Sequence, residues 1–219
     1  MNSSTIRHRS ALAFLLLAAA SGAASAPPRT DPDVPPQESV EGVAQSEWVR
    51  AWAQWVGSFD KGASPVTDPS GALCDRGQRG PVWFLAGTPG NRRTLRHCRI
   101  PRNKYLFVPV VAQISVPDRG ADFTCARVTQ SAAAFTDDPT ALVLELDGVI
   151  VDGIAAHRQA TTTCFDMGAQ SESKVAVYPS AANGYFVMLK PLSPGRHVLG
   201  FGGALPALLQ AVTYTLDVE

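Results

Sequence analysis

From residue 80 onward the chain consists of short apolar runs separated by glycine and proline, and before them lies one stretch with helical spacing. In EWVRAWAQWVGSF, Trp48, Trp52, Trp55 and Phe59 fall at i, i+4, i+7 and i+11, which places them on one stripe of a helix over 46–59. Ser46 is its candidate cap, and Gly57 and Gly62 bracket its end. Eight later runs read as strands: 82–86, 94–100, 105–112, 142–146, 174–178, 185–189, 197–201 and 211–218. Leu142, Leu144 and Leu146 share one face, as do Val212, Tyr214, Leu216 and Val218, the period of a half-buried strand. GPVWFLAGTPG differs: Val82 to Leu85 are continuously apolar, so this strand should be covered on both faces, one of them by the Trp helix.

Asp147-Gly148 is the strongest hairpin signal, joining LVLEL to VIV, and Pro194-Gly195 marks a turn between YFVMLK and RHVLGFG. DFTCARVTQSAAAF, rich in alanine with Asp122 near its start, predicts one more helix. GFGGAL at 200–205 reads as a bulge or turn. The pattern is mainly β: an antiparallel β-sandwich, jelly-roll or immunoglobulin-like, with an N-terminal aromatic helix and one further short helix.

The first residues change the picture of where this fold lives. Arg7, His8 and Arg9, an apolar core from Ala11 to Ala20, and SGAASA predict a secretory signal over 1–26. The apolar core is about ten residues, half of the roughly 20 a membrane span needs, so no transmembrane segment is expected. PPRTDPDVPPQESVEG follows, proline-rich, acidic and poor in large apolar groups, so 27–45 reads as a flexible leader ahead of a single domain over 46–219. Cys74, Cys98, Cys125 and Cys164, an even number in a chain expected to be exported to the periplasm or outside the cell, favour two disulfides. All three pairings stay open, with nearest neighbours preferred.

The landmarks GQRGPVWFLAGT, CRIPRNKYLFVPVV, LELDGV, GYFVMLKPLSPGRHVLGFGG and TYTLDV together resemble a family of uncharacterised exported bacterial proteins. That family carries an aromatic N-terminal helix, a GPVWFLAGT-like strand, a PxxKxLFFPV-like strand, a DG hairpin and a PLxPGxH turn. The resemblance spans about residues 46–219 and implies placement rather than a function. The chain departs from the pattern in the hairpin after GPVWFLAGT, where arginines replace mostly Gly, Thr and Ser.

Removing the predicted signal takes two basic residues from 19 and none of the 19 acidic ones, a net charge of 17 − 19 = −2. That argues against a nucleic-acid partner, whose binders are strongly basic. No nucleophile elbow, H-E-x-x-H or phosphate-binding glycine loop is present, so the reading leans away from catalysis and no cofactor is expected. Lesser candidates are His157 with Asp147 and Asp152 as a base or metal pair, the carboxylates Asp137 and Asp138, and the Trp stripe as a sugar platform. Each has a plainer reading: a solvated loop histidine, a turn, and a core-facing helix. His197 reads as a turn-edge residue making a structural hydrogen bond.

The basic segment is the main binding feature. From Arg76 to Lys104 there are eight Lys and Arg residues and no acid. A strand over 94–100 would turn Arg93, His97 and Arg99 to one face and Cys98 and Ile100 to the other. Arg92, Arg93, Arg96, His97 and Arg99 are therefore the candidate binding residues, suited to carboxylate, sulfate or phosphate groups. The expected function is an exported, non-catalytic binding or structural module for an acidic glycan or other envelope component. The alternative is a secreted hydrolase of a polysaccharide or ester using His157.

Overall fold

The computed structural model describes residues 31–60, 62–90, 93–117, 123–173 and 175–219. The predicted signal, the first leader residues, Asn91, Arg92, Asp122 and Lys174 lie outside them. Two five-stranded sheets face each other. The first contains β1 (Asp33–Val34), β2 (Val82–Phe84), β4 (Tyr105–Ser115), β7 (Arg158–Ala160) and β8 (Ala181–Leu189), in the order β1-β8-β4-β2 with β7 also on β8. The second contains β3 (Arg93–Ile100), β5 (Ala141–Leu146), β6 (Val149–Ile150), β9 (Gly195–Leu205) and β10 (Leu208–Val218), in the order β3-β10-β9-β5-β6. Helix α1 is Gln45–Gly57 and α2 is Cys125–Phe135. Among the described residues no helix is long and apolar enough to cross a membrane.

The β-sandwich predicted from the strand pattern is present, with two pairings that run parallel, β2 with β4 and β3 with β10. The chain leaves the first sheet after β2, crosses to the second for β3 and returns for β4, so β2 and β4 point the same way. β2 is buried on both faces, as its unbroken apolar run required. Trp83 and Leu85 join the core between the sheets, while Val82 and Phe84 join a second core under α1. There Trp52 meets Phe186 edge-on at 5.2 Å between ring centroids, and Trp55 lies 5.8 Å from Phe84. The Trp stripe is thus core and not a sugar platform, because one sheet face needed an apolar cover.

Several expectations need correction. Residues 31–45 are part of the fold, not a flexible leader. β1 pairs with Met188 and Leu189 of β8, Val40 is buried, and the buried Gln45 amide donates to the Val34, Pro35 and Glu38 carbonyls. A segment too polar to build its own core is held by hydrogen bonds to a finished one. The helix starts at Gln45 after Ala44 rather than at a Ser46 cap, because Gln45 is turned inward for this task. Of the 174–178 run, the described residues 175–178 form no strand: the Val177 amide donates to Asp166 and its carbonyl accepts from Met167, while Val175 and Tyr178 are exposed. GFGGAL is neither bulge nor turn but the second half of β9.

Disulfides join Cys74 to Cys98 and Cys125 to Cys164, the nearest-neighbour pairing. Beside the first, Arg96 enters the interior. Its Nη1 donates to the Ala86 carbonyl at 2.6 Å, the Gly87 carbonyl at 3.0 Å and the Tyr214 hydroxyl at 2.9 Å. Nε donates to the Asp68 carbonyl at 2.8 Å and Nη2 to the Val66 carbonyl at 3.0 Å. Gln210 of β10 bridges the sheets, donating to the Pro109 and Val110 carbonyls where β4 is irregular and accepting from Thr88 N. Replacing Arg96 by Met should cost roughly 3 kcal/mol or more, since several buried acceptors lose a charged donor at once. Arg99→Met on the exposed face should cost no more than about 0.5 kcal/mol. Urea unfolding of both variants checks this, and equal losses would refute the interior role of Arg96.

Candidate functional site

β3 alternates strictly, with Arg93, Leu95, His97 and Arg99 exposed or nearly so and Arg96, Cys98 and Ile100 buried. Of the predicted binding residues, Arg93, His97 and Arg99 therefore share the outer face of the second sheet. Arg96 does not; it is 4% exposed and belongs to the structural network above, which corrects its place in the patch. Arg92 lies outside the described residues.

Register continues this face across the sheet. Arg93 stands in one row with Ala211, Gly202 and Val143, and Leu95 in the next with Thr213, Gly200 and Glu145. His97 follows beside Thr215 and Val198, then Arg99 beside Asp217 and Arg196. Small residues on β9 and β10 between larger ones on β3 and β5 leave a trough of about 620 Å³. Above Gly200 there is open space where a Cβ would stand, whereas a Cβ at Gly202 would collide with the Gln210 carbonyl. The first glycine makes room and the second lets the strands approach. The trough was missed in the sequence because GFGGAL resembled a turn; the signal was the alternation of Gly200, Gly202 and Ala204 opposite Ala211 and Thr213.

At the end of the trough the charges are paired. Asp217 accepts from Arg196 Nε at 2.8 Å and lies 2.7 Å from His97 Nε2. The hydrogen bond from Arg196, then that from His97, hold the Asp217 carboxyl down at about 2. His197 lies with Nδ1 2.7 Å from Asp147 and Nε2 2.9 Å from the Ser193 carbonyl, while Val198 N donates to the same carboxylate. Burial pulls the His197 pKa down, but the Asp147 and Ser193 hydrogen bonds and the Asp147 charge outweigh it, and the pKa is raised. Asp147 and Gly148 both have positive φ, as the predicted two-residue hairpin demands.

His157 is the largest departure. It is 4% exposed rather than solvated, and its ion-pair partner is Asp33 at 3.1 Å, not Asp147 or Asp152. Its Nδ1 is buried without a hydrogen-bond partner. Burial, set against attraction to Asp33, leaves its pKa below the ordinary value. It was invisible as a buried residue because the strand that covers it, β1, was assigned to the leader. Asp137 pairs with Arg158 at 2.7 Å. Among the described residues no three His, Cys, Asp or Glu side chains come together to hold a metal ion.

Comparison with protein-family models, curated proteins and solved structures finds no match. The site's chemistry therefore rests on its own geometry: Arg93 on one wall of an open, largely apolar trough, with His97 and Arg99 further along the same face.

Because the folded pKa of Asp217 is depressed, its contribution to stability is present above the ordinary value of 3.8 and lost as pH falls through about 2. The Tm difference between the wild type and Asp217→Asn should therefore be constant above that range and vanish on acidification. Thermal unfolding in pH steps measures it; a difference that persists undiminished at the acid end contradicts the pairing.

Proposed function

We propose that the protein is an exported, non-catalytic binding module, working in the periplasm or outside the cell, that engages an acidic envelope component on the outer face of its second sheet. The observation that carries this reading is the arrangement of β3. Its register puts Arg93 and Arg99 at the margin of an uncovered face, while Arg96, with the same chemistry, is consumed inside. Guanidinium groups on a rigid strand suit carboxylate, sulfate or phosphate groups, because the planar fork binds two oxygens at once. The two disulfides agree with a non-reducing compartment.

The hydrolase alternative finds no support in its intended base. His157 is closed off against Asp33, and His197 is occupied by Asp147 and Ser193.

The wild type should be retained on immobilised heparin or lipopolysaccharide at low salt and elute as salt rises, since exposed charge contacts are screened. Arg93→Gln with Arg99→Gln should elute at clearly lower salt with an unchanged near-ultraviolet dichroism spectrum. Absence of wild-type retention on both materials, or identical elution of the double variant, would sink this reading.

A further inference from the structure

The two sheets are finished differently. The outer face of the first is covered by α1, whose tryptophans pack on Phe84 and Phe186. On the outer face of the second, Leu95 is 64% exposed, Leu209 58%, Val143 46% and Val198 45%. Scattered exposed aliphatics are ordinary, but Leu209, Val143 and Val198 line a single trough whose floor is glycine, alanine and threonine. We propose that this trough is the docking site of an amphipathic helix from an acidic partner protein. The proposal rests on the binding-module reading and specifies its ligand.

Shape and charge select this occupant. From β3 to β5 there are three strand spacings, about 14 Å, and the rows from Leu209 to Val198 run for about 20 Å. A helix is about 10–12 Å across and covers that length in about 14 residues. A single alkyl chain would leave most of the width empty. A sugar would lose water from its hydroxyls over a floor whose backbone groups are already spent in the β-ladder. A second copy of this face would set hollow on hollow and leave a void. Among the described residues neither Arg93 on one wall nor Glu145 on the other has an ion-pair partner. An apolar stripe with an acidic flank toward Arg93 and a basic flank toward Glu145 answers both. One large apolar side chain of that stripe enters the space above Gly200, as helices do when they seat anchors in grooves.

The test uses the full chain and a synthetic helix of about 18 residues with leucines at i, i+3, i+4 and i+7, glutamates on one flank and lysines on the other. Calorimetric titration should show saturable binding with a gain of peptide helicity, and no binding of a scrambled peptide. Gly200→Trp, whose Cβ meets nothing within 4 Å and whose ring fills the trough, should weaken binding at least tenfold. Glu145→Lys should weaken it severalfold and prefer a peptide in which the lysines are replaced by glutamates. Equal binding of the scramble, indifference to Gly200→Trp, or no charge reversal with Glu145→Lys each overturns the proposal. So does self-association of the wild type through this face, seen as dimers that Gly200→Trp dissolves, or binding of oleate or anionic vesicles that Gly200→Trp abolishes. If the peptide fails while retention on the acidic matrix persists, the helix is wrong and the acidic ligand stands. If both fail, the binding-module reading falls with it.

Discussion

A charged guanidinium inside the protein is the constraint from which much else follows. An interior position for the Arg96 guanidinium is tolerable only because neutral oxygens surround it. Those oxygens come from the loop after β2, from the 64–74 region and from Tyr214 of β10. One side chain thereby ties together segments that make no mutual ladder. Tyr214 is held in turn, donating to the Ala86 carbonyl and stacking on Phe201 with rings 10° apart. Burial raises the Tyr214 pKa in spite of the arginine beside it, so its hydroxyl remains a neutral donor.

The binding face is a consequence of that inward turn. Side chains along a strand alternate, so fixing Arg96 inside fixes Arg93, Leu95, His97 and Arg99 outside. The Cys74–Cys98 disulfide and Gln210 act on the same two strands, β3 and β10, and hold them to the body of the sandwich. The trough is accordingly formed on a braced surface, the kind that can present charges without first paying for order. The first sheet, buried on both faces, has no comparable surface to offer.

Much of this was legible in the chain. Seven of the eight strand runs, the Trp stripe and the DG hairpin depend on local periodicity and turn chemistry, which neighbouring residues express by themselves. The run at 174–178 shows the limit: K-V-A-V-Y has strand spacing, but no free edge accepts it, and Asp166 takes its amide instead. Residues 31–45 show the converse. Nothing in PDVPPQESVEG forecasts order, because its ladder partner, β8, lies more than a hundred residues away, and Gln45, which binds its carbonyls, is itself held by Gln159.

By itself, then, the sequence determined the class of fold, the two-sided burial of VWFL, the even set of cysteines and the strand on which the arginines sit. Only the tertiary structure decided which arginine is a ligand for solvent and which is a staple, that His157 is buried against Asp33, and that GFGGAL floors a trough. Each of those depends on which face of an element meets another element. Periodicity separates two faces of a strand, but only the packing of the whole chain says which one is covered.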